Sequence, residues 1–203
     1  MKEVRVYRSS IRVLSMCAVL YIPLSMQAAA ITGGTTTVTF NTSTLSVLTG
    51  AGFSITPVSP ATLNTSPVSA IFPITGGDTT TNITHSGGLT LTRNATAASL
   101  TNFNIVLTSS TLFGTVTAGS TSAGNVPLFD ISSSGGATLL SLNPVLASQI
   151  NTVFGVPLPA GTPIGTAVVA ASVAPEPASI GFAGLGVLCL LAKVAHSRRR
   201  TQA

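Results

Sequence analysis

Across residues 31–174 the chain carries three charged side chains, Asp78, Arg93 and Asp130. Ser and Thr dominate this stretch, and Glu and Lys are absent from it. Such a composition fits either a disordered, hydroxyl-rich stalk or a fold whose surface is made of neutral hydroxyls. Periodicity decides between them. Thr37-Val38-Thr39-Phe40, Leu89-Thr90-Leu91-Thr92 and Phe103-Asn104-Ile105-Val106-Leu107 alternate apolar with polar side chains, and Thr is itself a strand former. Leu112-Phe113-Gly114-Thr115-Val116 and Val126-Pro127-Leu128-Phe129-Asp130-Ile131 add further strands. Gly76-Gly77-Asp78, Gly87-Gly88, Gly119 with Gly124, and Gly135-Gly136 punctuate them as turns. The expected fold class is mainly β, an antiparallel β-sandwich or barrel, in a segment long enough for one domain with its own core.

One short amphipathic helix interrupts the pattern. Asn143 can cap it, Pro144 suits its first position and Gly155 can close it, while Leu146, Ile150, Val153 and Phe154 share a face. Pro157, Pro159, Gly161 and Pro163 then make a turn-rich connection to a last strand over residues 166–173.

The formal charge of +5 and pI near 10.0 suggest a nucleic-acid binder only until the charge is located. Every basic residue except Arg93 lies at or before Arg12 or at or after Lys193. Between them one Arg stands against two Asp, so no basic patch remains to neutralise phosphates, and nucleic acid is excluded as a partner. Cys17 and Cys189 both lie in the apolar ends, which leaves residues 31–174 without a disulfide.

Those ends read as targeting segments. Lys2, Arg5, Arg8 and Arg12 precede an apolar run over residues 13–26 and the small residues Ala28-Ala29-Ala30, the order of a secretory signal peptide, assigned to residues 1–30. At the other end Pro175-Glu176-Pro177 is followed by an uncharged run over residues 178–192 and then by Lys193, Arg198, Arg199 and Arg200. Counted to residue 195, with Lys193 snorkelling, a helix would span about 27 Å of a ~30 Å hydrocarbon core. The basic residues orient it with the C-terminus cytoplasmic and residues 31–174 outside. The two prolines keep the tripeptide extended, so that a processing enzyme can bind it as a free strand.

Residues 173–200 thereby resemble a PEP-CTERM sorting signal, in the motif, the Gly-containing helix (Gly181, Gly184, Gly186) and the Arg-rich terminus. The resemblance implies recognition at Pro175, Glu176 and Pro177 by an exosortase-like membrane enzyme. It further implies a transient membrane anchor before release to a cell surface or matrix associated with exopolysaccharide.

Residues 72–166 are similar to HtaA-type haem-uptake domains. The likeness rests on His85-Ser86-Gly87-Gly88-Leu89-Thr90-Leu91, the strands between Leu100 and Phe113, Pro127-Leu128-Phe129 and the helix ending Ile150-Asn151-Thr152-Val153-Phe154-Gly155. In that family a tyrosine ligates haem with help from a histidine. Tyr7 and Tyr21 both fall in the signal peptide, so the resemblance implies a haem contact at His85 alone.

Catalysis has little to draw on. Residues 31–174 contain Asp78, Asp130, His85 and hydroxyls but no Cys, Lys, Tyr or Trp, and no Gly-x-Ser-x-Gly elbow. Asp78 and His85 are too few for a metal site, and read as a turn Asp and an exposed loop His. No enzyme activity, catalytic residue, metal or obligatory cofactor is expected. Asn41-Thr42-Ser43, Asn64-Thr65-Ser66, Asn82-Ile83-Thr84 and Asn94-Ala95-Thr96 match the glycosylation pattern at a frequency that chance supplies in so Asn-, Ser- and Thr-rich a chain. A hydroxyl-dense, weakly charged surface suits hydrogen bonding to polysaccharide. The leading expectation is a non-catalytic exported surface or matrix protein, and the alternative is a haem- or other small-ligand-binding surface module.

Overall fold

A computed structural model describes residues 28–174. The body of the proposed signal peptide, Pro175, Glu176, Pro177, the apolar run over residues 178–195 and the basic residues Lys193, Arg198, Arg199 and Arg200 lie outside the described residues. Among the described residues no helix is long and apolar enough to cross a membrane.

The elements begin with β1 (Ile31–Phe40), α1 (Thr42–Gly50), β2 (Phe53–Val58), β3 (Thr62–Thr65) and β4 (Val68–Gly77). Next come β5 (Asn82–His85), β6 (Gly88–Arg93), β7 (Thr96–Val106), β8 (Thr111–Ala118) and β9 (Thr121–Ser134). The chain then forms β10 (Ala137–Leu142), α2 (Pro144–Phe154) and β11 (Pro163–Val173). All pairings are antiparallel, and β1, β4, β5, β7, β8, β9, β10 and β11 close into an eight-stranded barrel. β6 continues along β7 beyond β5 and carries β2 on its outer edge, while β3 lies against β4. Closure pairs most backbone donors without leaving two long sheet edges exposed.

The core follows from the alternation. β8 buries Leu112, Gly114 and Val116, and β1 buries Thr36 and Val38. In β7 the inward residues change parity, from Ala98 and Leu100 to Phe103 and Ile105. A bulge accounts for the change: the register slips between Thr101 and Asn104, and Asn102 takes a φ of 54°. Phe103 then turns inward to meet Phe72 edge-on, with centroids 5.0 Å apart. Leu128, Leu142 and Leu146 are the largest fully enclosed side chains, each contributing about 1.5–3 kcal/mol by leaving water.

The helix expected near residue 144 forms as its end signals dictate. Asn143 Oδ1 accepts from the Val145 amide at 3.0 Å, Pro144 opens the first turn and Gly155 closes the last at φ 65°. Leu146, Ile150 and Phe154 are buried, with Val153 packed beside them. A second helix, α1, falls where the sequence shows only a Thr-rich run. Asn41, which also begins a glycosylation pattern, uses its Oδ1 to accept from the Ser43 and Thr44 amides at 3.0 and 3.2 Å. Such a cap is worth about 1 kcal/mol, and buried Leu48 and the Thr44 hydroxyl bond to the Pro163 carbonyl hold the helix to the barrel. The Gly-based turns also need adjustment: Gly119 and Gly135-Gly136 do turn the chain, whereas Gly124 lies inside β9 and Gly76 and Gly77 end β4.

Candidate ligand site in the barrel

His85 is the last residue of β5, and the chain must turn sharply after it to start β6. Gly87 does this at φ 81°, close against the Val58 and Ala61 backbone. Gly88 follows with no room for a side chain, since a Cβ there would sit 2.0 Å from the Leu100 carbonyl oxygen. The Ser86 amide bonds to Pro73 and the Asn102 amide to Gly87, tying the turn to β4 and to the β7 bulge.

This turn delivers the His85 ring inward. The expected exposed loop histidine is therefore corrected: His85 is 6% exposed, because β5 pairs between β4 and β7 and its inward face belongs to the core. Nδ1 lies 3.4 Å from the Phe103 carbonyl, which can only accept, so the proton resides on Nδ1. Nε2 is then the acceptor, and the Thr36 hydroxyl donates to it at 2.7 Å. Thr36 is itself 3% exposed. Burial lowers the imidazole pKa from its ordinary value, against the opposing hydrogen bonds to Phe103 and Ile83, and keeps the ring neutral at pH 7.

Beside the ring lies an apolar cavity of about 40 Å³ walled by Val38, Phe72, Leu89, Leu100, Phe103 and Leu112. A second, of about 60 Å³, lies beneath α1 and α2, and shares Phe40, Leu89, Leu100, Phe129 and Ile164 with the first. A third, of about 20 Å³, lies under α2, where Gln149 Oε1 is buried without a hydrogen-bond partner among the described residues. Sequence reading did not single out Thr36 or Gln149. Thr36 is one of many threonines in an alternating strand, and Gln149 lies beside the apolar face that the helical pattern marks.

The other candidate side chains are used elsewhere. Asp78 caps its own turn, accepting from the Thr80 and Thr81 amides at 2.8 and 2.7 Å and from both hydroxyls. The Thr81 hydroxyl first, then Thr80, hold its carboxyl well below the usual carboxylate range. Asp130 accepts from Asn143 Nδ2 at 2.7 Å and so steadies the α2 cap. Asp78, Asp130 and His85 thus take separate partners, and no cluster of three metal-ligating side chains occurs among the described residues.

Arg93, for which the sequence suggested no role, bridges the helix ends. Its Nε donates to the Ala51 carbonyl at 2.9 Å and Nη1 to the Phe154 carbonyl at 2.8 Å, over the Phe53 ring. One guanidinium thereby satisfies C-terminal carbonyls of both α1 and α2 and complements both dipoles.

A closed antiparallel barrel with two helices at one end and a histidine turned into its lining defines the architecture. Solved structures have a similar fold. The chain is similar to the haem-binding protein HtaB from Corynebacterium glutamicum, with a TM-score of 0.56 and 12% identity over 74% of this chain and 98% of that one. It is also similar to the N-terminal domain of HtaA from the same organism, with TM-score 0.54, 14% identity, and 73% and 100% coverage. The C-terminal domain of that HtaA matches with TM-score 0.53, 15% identity, and 72% and 100% coverage. At these identities the likeness is one of fold. No protein-family profile and no curated protein sequence matches the chain.

Haem itself does not fit the His85 site. Residues 28–174 contain no Tyr, Cys or Met, both His85 nitrogens are engaged, and cavities of about 40 and 60 Å³ fall far below the ~300–1,000 Å³ of a drug-sized pocket.

Proposed function

We propose that this chain is an exported, non-catalytic surface module that holds a small apolar ligand in the helix-capped end of its barrel. The observation that carries the reading is the adjoining pair of apolar cavities, the first with the neutral His85 imidazole and the Thr36 hydroxyl on its wall, the second with Asn41 and Thr44 on its wall. An apolar cavity of ~150 Å³ stays dry and binds benzene or xenon, and the smaller cavities here, of about 40 and 60 Å³, set a tighter limit at ligands of xenon size. The fold likeness to a haem-binding protein supports a binding role, while the donor set argues for a ligand other than haem.

The test titrates the full chain in detergent with xenon, following the Leu89 and Leu100 methyl resonances, and separately with haem, following the Soret band. A saturable methyl shift that Leu100→Phe abolishes is expected. No saturable shift would remove the apolar-ligand reading, and a Soret band lost in His85→Ala would restore haem.

The sorting reading concerns delivery, and its support is the sequence of residues 173–200. The signal peptide would export the chain, and the exosortase-like enzyme would act at Pro175-Glu176-Pro177 while the tail holds the domain at the membrane. A polysaccharide matrix is the corresponding destination. Replacing Pro175, Glu176 and Pro177 together by Ala in the native host should leave the unprocessed chain in the membrane fraction. Unchanged processing would sink this reading.

A further inference from the structure

The barrel closes between β10 and β11 over only part of β11. The last pair is Thr138 with Ala167, and β10 begins at Ala137. Among the described residues β11 is paired from Val168 onward on one side only, to β1, in a register that slips once, between Gly33–Ser172 and Ile31–Val173. All six residues from Val168 to Val173 are exposed, with Val168 at 66%, Val169 at 40% and Val173 at 49%. The segment is β-branched and small, without charge or proline, and the one bulge in its ladder inserts Thr32 on the β1 side.

Among the described residues the exposed start of β9, Thr121 to Asn125, is also paired only to β8, but its ladder slips before Val126 and Pro127 follows; two further open edges are guarded. β2 carries Pro57, and β3 is four residues long between Pro60 and Pro67. Such features block strand addition, and the open part of β11, from Val168 to Val173, carries no proline. A bilayer is a poor occupant, because open-edge amides and carbonyls find no partners in hydrocarbon. A strand satisfies them.

We propose that the edge of β11 from Val169 to Val173 pairs with the same edge of a second copy of this chain. The segment is suited to itself. A two-fold axis normal to the sheet keeps each face on its own side, so paired residues must both be odd or both be even. Centred on Ala171, the axis sets Val169 against Val173 of the second copy, twice, and Ala171 against itself. These are β-branched and small cross-strand pairs with no like charges opposed. The register also ends where it must. A strand continuing to position 175 would face Ala167, whose open side Thr138 already fills, and there the sequence has a proline.

The test places Ala171→Cys in the full chain, with Cys17→Ser and Cys189→Ser, in detergent under mild oxidation. Cross-strand Cα distances of ~4.5–5.5 Å lie within disulfide reach. A cross-linked dimer is expected, with a yield several-fold lower when Val169→Lys is added. The same background with Thr65→Cys, on the guarded β3 edge, should stay monomeric. No dimer at position 171, equal cross-linking at position 65, or a yield indifferent to Val169→Lys would each overturn the proposal.

Discussion

His85 and Arg93 stand at two ends of the same problem, a polar group in a domain with almost no charge. Arg93 sits half-buried at the helix ends, always cationic, and gives its protons to two carbonyls that the helices leave unpaired. His85 is inside the barrel and works only while neutral, giving one proton to Phe103 and taking one from Thr36. The difference shows how this fold divides its labour. Charge is kept at the rim, where helix dipoles and water screen it, and the interior takes a residue that can donate and accept without ionising.

The strongest way to break that comparison is to empty the interior. His85→Ala removes a buried ring and leaves the Thr36 hydroxyl without its acceptor in an apolar wall. A loss of about 3–5 kcal/mol is expected from cavity and desolvation together, measured by urea unfolding of the full chain in detergent. A loss below about 1 kcal/mol would mean that water replaces the imidazole without penalty.

At the rim the expected loss is smaller. Arg93→Met keeps the stem over Phe53 but frees the Ala51 and Phe154 carbonyls, at about 1.5–3 kcal/mol. Arg93→Lys should recover less than half, because a single ammonium lacks the planar fork that reaches both carbonyls. Full recovery by Lys would show that charge alone, through the helix dipoles, is what matters.

The two centres were unequally legible in the sequence. α2 could be read because Asn143, Pro144 and Gly155 are end signals that act locally. α1 could not, since Thr and Ser are poor helix formers and its one signal, Asn41, is shared with turns and glycosylation patterns. The Gly87-Gly88 turn was visible but the direction in which it sends His85 was not. That depends on the β7 bulge at Asn102, whose trace in the sequence is only the parity change between Leu100 and Phe103. Arg93 was noticed as the lone cation, yet its partners lie 42 and 61 residues away and are backbone atoms, which no side-chain pattern encodes.

A pH series sharpens the comparison with a smaller effect. His85 has a folded pKa below its unfolded value of about 6.5, so between the two the unfolded chain binds more protons. Stability contributed by the neutral ring is fully present above pH ~6.5 and falls as pH drops toward the folded pKa, at no more than about 1.4 kcal/mol per pH unit. His85→Gln, which removes the titrating ring, should flatten the curve, whereas Arg93→Met, which leaves His85 in place, should lower it and keep its slope. A wild-type curve that is flat from pH 7 to pH 5 would contradict the neutral, buried assignment.

The smallest effect belongs to Asp78, an anionic centre at the surface. Its folded pKa is depressed by the Thr81 and Thr80 hydrogen bonds, so its contribution is present above the unfolded value of about 3.9 and is lost as pH falls through the folded pKa. Asp78→Asn keeps one oxygen for the turn amides but gives up the second acceptor, which the Thr81 hydroxyl uses. The variant should be slightly less stable than wild type at pH 5, and the gap should close as the pH is lowered below about 4. Running Asp78→Asn and His85→Gln beside wild type along one titration assigns the carboxylate and imidazole contributions separately. A gap that instead widens in acid would show that the turn is held by the Ala30 bridge and the Asp78 amide bond to Asn82, with the carboxylate incidental.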